Sequence, residues 1–160
     1  MALAILTDTG NFKFTRNGEV LRIMADLVDG GVNIRNLIEL MNNKPRKAVQ
    51  LEARTAANAE FFYHGKLALA IVEKKDYKYL DGRGETVLNL LGQIQGVEYI
   101  VLLKEQKADQ TGISIRSRRK PIDNIAIALG GGGHERAAGA IVRDTIENVK
   151  KRILELFKEA

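Results

Sequence analysis

The chain has no cysteine, and only two prolines and two histidines. Without thiols there are no disulfides and no zinc–thiolate sites. His64 and His134 stand far apart in sequence, so no compact His-based metal motif is present. No apolar run approaches the roughly 18 residues of a membrane span, and the N-terminus lacks a basic segment leading into a signal-peptide core. These absences predict a cytoplasmic protein with no membrane partner. The chain does have 160 residues, 45% of them hydrophobic and 28% charged, enough for one globular domain or two small lobes. Lys and Arg outnumber Asp and Glu by 25 to 20, a net charge of +5, which suits an acidic partner such as a nucleotide or RNA.

Glycine is not scarce. Four stand together at residues 130–133, followed by His134-Glu135-Arg136-Ala137-Ala138-Gly139-Ala140. A helix cap or tight turn needs one or two, and each surplus glycine costs about 0.5–1 kcal/mol in chain entropy. The run therefore points to the close approach of a ligand more than to a flexible turn. Bare backbone N–H groups suit an anion and His134 adds a donor or a positive charge, so phosphate is the predicted guest.

Residues 2–6 form a short apolar run that reads as a buried strand, which places Asp8 at its C-terminal end, a usual ligand position in open α/β sheets. From spacing alone, Asp8 as a metal ligand and Asp8 as a turn residue between Thr7 and Thr9 weigh equally. Val20, Ile23, Met24 and Leu27 mark one helix face, and Ile34, Leu37, Ile38 and Met41 a second, with Asn33 as its cap. Pro45 lies in a polar stretch that marks a boundary, and residues 46–60 read as an Ala-rich connecting helix. Lys47 and Arg54 on it read as solvated charges.

Beyond it, residues 67–72 predict a strand; Val87, Leu91 and Ile94 a helix face; residues 97–103 a longer strand. A hairpin follows, with Ile113 and Ile115 alternating against Ser114 and Arg116, so Arg116 points away from the core. Arg118, Arg119 and Lys120 read as a solvated loop. Pro121 opens a helix with Ile122, Ile125, Ala126 and Leu129 on one face, residues 137–142 form a strand of small residues, and Asp144 caps a last helix. On that helix Ile146, Val149, Ile153 and Leu156 face inward and residues 150–152 are its wet face.

The run GGGGHERAAGA resembles the Gly-Gly-Gly-His-x-x-Ala-Ala-Gly signature of the C-terminal substrate-binding domain of the DHH phosphoesterase superfamily. Ser114-Ile115-Arg116-Ser117 resembles the Ser-hydrophobic-Arg-Ser strand that precedes it, and Thr7-Asp8-Thr9-Gly10-Asn11-Phe12 the segment that closes the family's catalytic domain. The resemblance implies that Arg116, Ser117, Gly131, Gly132, Gly133 and His134 bind substrate, and that Asp8 is a ligand of a manganese pair. The family's Asp-x-Asp and Asp-His-His segments are not in this sequence. One Asp cannot hold two metal ions, so the expectation is the C-terminal half of such an enzyme, inactive alone.

The predicted fold class is α/β: a remnant of a parallel-sheet catalytic domain at 1–44, a linker helix at 45–62, and an α+β lobe with a mixed sheet at 63–160. The leading functional expectation is the substrate-binding part of a manganese-dependent phosphoesterase for short oligonucleotides or 3′-phosphoadenosine 5′-phosphate. The alternative is an RNA-binding module like the C-terminal domain of alanyl-tRNA synthetases, which has no use for Asp8. A separate catalytic half, or a second copy pairing at an exposed sheet edge, is a further expected partner.

Overall fold

The computed structural model describes residues 1–13, 15, 17–80 and 84–158. The chain divides into two units, Met1–Asn43 and Lys44–Ala160.

The first unit is helical among its described residues: α1 (Ala2–Asp8), α2 (Glu19–Asp29) and α3 (Ile34–Asn42). Ala2, Leu6 and Met24 form its small core, with Leu27, Leu37 and Met41 packed around them. The expected strand at 2–6 is therefore a helix, and the described residues hold no parallel-sheet remnant. The physical reason is pairing. A short apolar run is ambiguous between helix and strand, and a strand here has no neighbour among the described residues of its unit to satisfy its backbone, whereas a helix satisfies its own. Alanine and leucine favour that outcome, and Ala2 and Leu6 fall one turn apart on the buried side. In α3, Asn33 is the cap as expected, accepting from the Asn36 amide at 3.1 Å.

The second unit holds one six-stranded mixed sheet in the order β1-β2-β3-β4-β6-β5. Its strands are β1 (Glu60–Phe62), β2 (Leu67–Val72), β3 (Tyr99–Lys107), β4 (Gln110–Ser117), β5 (Gly132–His134) and β6 (Ala137–Val142). The β2/β3 pair is parallel and every other pair antiparallel. The helices are α4 (Arg46–Ala57), α5 (Lys74–Tyr77), α6 (Glu85–Gly92), α7 (Asp123–Ala128) and α8 (Ile146–Lys158).

Side-chain alternation gives the sheet two faces. Leu67, Leu69, Val101, Leu103, Ile113 and Ile115 point to the first face and pack with Ile125 of α7 and Val149, Ile153 and Phe157 of α8. Ala68, Ala70, Val72, Ile100 and Leu102 point to the second face and pack under Leu51 of α4 and Val87, Leu88 and Leu91 of α6. Burying each large apolar side chain contributes about 1.5–3 kcal/mol, so both layers hold the β2–β3 centre.

Several expected boundaries move. The connecting helix α4 ends at Ala57 and residues 60–62 form an edge strand. Its Ala48, Leu51, Glu52 and Thr55 are buried, so α4 is part of the helical layer on the sheet. The half-exposed strand expected at Ile113–Arg116 is more deeply covered, with Ser114 buried as well as its isoleucine neighbours. Pro121 precedes α7 rather than opening it, because the Ile122 amide is tied to the Glu135 carbonyl at 2.9 Å. Thr145 takes the cap position of α8. Its hydroxyl accepts from the Asn148 amide at 3.4 Å, while Asp144, one residue earlier, accepts from the Thr145 amide and from Asn148 Nδ2, both at 2.8 Å. These bonds hold the Asp144 carboxyl below its ordinary range.

Candidate anion-binding site

The glycine run divides into residues with different physical duties. Gly130 is left-handed at φ 75°, and its amide donates to the Ile127 carbonyl at 2.9 Å. The Gly131 amide donates to the Ala126 carbonyl at 2.8 Å. Together these bonds form a Schellman motif that ends α7. The Gly131 amide is therefore spent on the helix end, and the loop follows a helix C-terminus, the opposite dipole end from a usual anion site.

Gly131 is needed for packing as well. A Cβ there would lie 2.1 Å from the Gly139 carbonyl oxygen, and one on Gly133 would lie 2.5 Å from the Ala137 oxygen. Bare backbone at these two positions lets β5 lie against β6. Gly132 differs from both. A Cβ there meets nothing within 4 Å, and its φ is not in the left-handed region, so neither packing nor conformation demands glycine. The space in front of it is open.

Register shows what else faces that space. Ile100, Arg116, Ala137 and His134 are successive cross-strand partners on β3, β4, β6 and β5. Leu102, Ser114, Gly139 and Gly132 form the next row. Directly paired residues project to the same side of a sheet, and residues two apart along a strand do too, so all eight share the second face. α4 and α6 cover this face over β2 and β3, where Ile100 and Leu102 are buried. Over β6 and β5 it carries Ala137, Gly139, Gly132, the exposed His134 and, at the far end of β6, the exposed Ile141. Arg116 and His134 thus flank a floor of small residues, and β5 is the edge strand among the described residues.

The Arg116 guanidinium is anchored at two points. Nη1 donates to the Ile115 carbonyl at 2.9 Å, and Nη2 donates to Oε1 of Glu85, the first residue of α6. Three of its five N–H groups remain for other acceptors. Beside it, Lys104 Nζ donates to Ser114 Oγ at 2.8 Å, both residues being buried. A serine oxygen that accepts from an ammonium keeps its own O–H to donate.

Of the residues expected at the site, Arg116, Gly132 and His134 fall on one face. Ser117 does not. It pairs with Tyr99 in register and lies one residue beyond Arg116, hence on the first face, where its Oγ and the Tyr99 hydroxyl are buried without a hydrogen-bond partner. Its amide donates to the Arg136 carbonyl at 3.0 Å, closing the β4 end against the loop. Ser114, Lys104 and Glu85 were not singled out from sequence. Ser114 had a signal in its alternation with Ile113 and Ile115, and Lys104 in ending an apolar run. Glu85 had none.

Asp8 belongs to the other unit. It is the exposed last residue of α1, and the turn after it is stabilised by Thr9, whose hydroxyl donates to the Ile5 carbonyl at 2.6 Å and accepts from the Phe12 amide at 2.9 Å. Among the described residues no group of three or more His, Asp or Glu could hold a metal ion. The donor set present does not fit a dinuclear manganese site. No helix among the described residues is long and apolar enough to cross a membrane.

Comparison with known proteins gives this site a family. The chain is 32% identical over 158 residues to the bifunctional oligoribonuclease and PAP phosphatase NrnA of Thermus thermophilus, covering 97% of this chain and 48% of that protein. It is 26% identical to the probable counterpart of Streptococcus mutans, covering 90% of this chain and 47% of the relative. A crystal structure of an exopolyphosphatase-related protein from Bacteroides fragilis superposes with a TM-score of 0.87 at 25% identity, covering 97% of this chain and 47% of that one. A pGpG-specific phosphodiesterase from Vibrio cholerae shares the fold alone, with a TM-score of 0.53 at 13% identity over 99% of this chain and 56% of the other. The chain thus spans about half the length of these proteins and is homologous to the C-terminal half of NrnA. The family model for the DHHA1 domain matches residues 65–160, which contain the whole Arg116–His134 face, and the chain belongs to the DHHA1 domain family.

Proposed function

We propose that the chain is the substrate-binding part of a metal-dependent phosphoesterase, and that its second sheet face receives a phosphate group of a short oligonucleotide or of 3′-phosphoadenosine 5′-phosphate. The observation that carries this reading is the row Arg116–Ala137–His134 beside Gly132, whose Cβ position is open. A guanidinium and an imidazole at either end of a floor without bulky side chains can grip phosphate oxygens from two sides. The absence of a side chain at Gly132 lets the ligand lie against the strand. The likeness to an oligoribonuclease and PAP phosphatase supports the substrate class.

In this reading the chain's residues bind and orient. Arg116 and His134 hold the phosphate, and the Ser114 hydroxyl, whose oxygen accepts from Lys104, keeps its O–H as a further donor. Their hydrogen bonds to phosphate oxygens also offset negative charge that builds up during hydrolysis. The manganese ions and the attacking water belong to a catalytic half supplied by other residues, so this chain alone binds without cleaving.

The test is a fluorescence titration of a labelled short oligoribonucleotide at fixed low salt, with wild type, Arg116→Ala and His134→Ala. Each loses a charge-assisted or ring N–H contact, so affinity is expected to fall about tenfold or more for Arg116→Ala and severalfold for His134→Ala. Binding indifferent to both substitutions would remove this face as the site and leave a generic basic surface.

A further inference from the structure

Arg116 does not face its ligand empty-handed. Its Nη2 already holds the Glu85 carboxylate, and the fold builds that contact from several sides. Gly84, just before Glu85, is left-handed at φ 79°, and a Cβ there would lie 2.3 Å from Leu102 Cδ2. The path of the chain into α6 is thus set by close packing on the sheet. On the other side of Glu85, the Thr86 hydroxyl is 2.6 Å from Lys44 Nζ, which also donates to both oxygens of buried Glu52 at 2.8 and 3.1 Å. The backbone on either side of Glu85 is pinned. Its carboxylate, 51% exposed, is not.

We propose that the Glu85 carboxylate occupies the anion position on Arg116 within the protein, and that a substrate phosphate binds by displacing it. The inference rests on the reading of Arg116 as a phosphate ligand. A carboxylate and a phosphate offer the guanidinium the same oxygen acceptors, so one can stand in for the other. Glu85 then sets the affinity of the site by setting how often the arginine is free. An ion pair as exposed as this one leaves Arg116 free in about a fifth to a half of the molecules, and ligand affinity falls to that same fraction of its value for an unpaired arginine.

The test uses a 5′-phosphorylated, fluorescently labelled short oligoribonucleotide at low salt, with Glu85→Gln, Arg116→Ala, the double variant and Glu155→Gln. Glu155 is exposed on α8, whose buried side packs on the first face, so Glu155→Gln makes the same charge change away from the site. Glu85→Gln is expected to tighten binding about two- to fivefold, with Glu155→Gln giving a clearly smaller gain and Arg116→Ala abolishing the gain in the double variant. Weaker binding in Glu85→Gln would overturn the proposal and make Glu85 the residue that orients Arg116. Unchanged binding would overturn it as well. If Arg116→Ala itself leaves binding intact, the reading of the site fails together with the inference, whereas loss in Arg116→Ala without a gain in Glu85→Gln sinks the inference alone.

Discussion

The second face of the sheet carries two chemistries side by side. Over β2 and β3 it is made of Ala68, Ala70, Val72, Ile100 and Leu102, buried beneath α4 and α6. Over β4, β6 and β5 the same face carries Gly112, Ser114, Arg116, Ala137, Gly139, Ile141, Gly132 and His134, with Gly112 and Ser114 buried and Ile141 exposed. The first face shows no such division, since α7 and α8 pack across β3, β4 and β6. The same face is thus wholly apolar at these five positions where helices cover it, and carries the charged Arg116 and the exposed Ile141 and His134 where none does. Area removed from water supports the fold in the first half, a gain the second half largely forgoes.

The largest effect expected from this contrast comes at the covered half. Leu102→Ala removes a fully buried side chain between α6 and the sheet and should cost about 2–5 kcal/mol in chemical denaturation. A loss of less than about 1 kcal/mol would mean that this half is packed no more tightly than the open one.

Next come two adjacent glycines that look alike in sequence. Gly131→Ala places a methyl 2.1 Å from a backbone oxygen and should destabilise by about 1–3 kcal/mol, loosening β5 from β6. Gly132→Ala meets open space and is expected to leave stability unchanged or raised by up to about 1 kcal/mol, because alanine restricts the unfolded chain. Its oligonucleotide binding should nonetheless weaken severalfold, since the methyl group fills the floor of the site. Thermal melts paired with titrations on both variants decide the matter, and equal behaviour of the two would dissolve the distinction between packing glycine and site glycine.

The smallest effect lies away from the open face, at the start of α8. Asp144 has its folded pKa lowered by the Asn148 side chain and then by the Thr145 amide. Its stabilising contribution is therefore present above the unfolded carboxylate pKa and is lost as pH falls through the lower folded value. The difference in melting temperature between wild type and Asp144→Asn should be small near neutral pH and should vanish on acidification. A difference that grows in acid would reverse the assignment.

Much of the second unit was legible in the sequence. The strand at Leu67–Val72, the hairpin around Ile113 and Ile115, the helix before the glycines and the strand at Ala137–Val142 follow from periodicity and punctuation, which report local geometry. The first unit was less legible. Its opening apolar run has no alternation to separate strand from helix, and the absence of a strand partner is a property of the surroundings. Ser114-Ile115-Arg116-Ser117 lies on a strand, β4, as its alternation predicts. The parity of its residues relative to β6 and β5 separates Arg116 from Ser117, and a motif quoted as a string does not carry that parity.

The sequence by itself determined where the chain bends and which segments bury an apolar side, because glycine, proline and hydrophobic spacing act over a few neighbouring residues. Only the tertiary structure decided that Arg116 and His134 share a row, that Gly132, unlike Gly131 and Gly133, faces open space, and that Glu85 reaches Arg116. Each of these depends on strand register and helix placement between residues far apart in the chain, and long-range packing sets those positions where local propensity cannot.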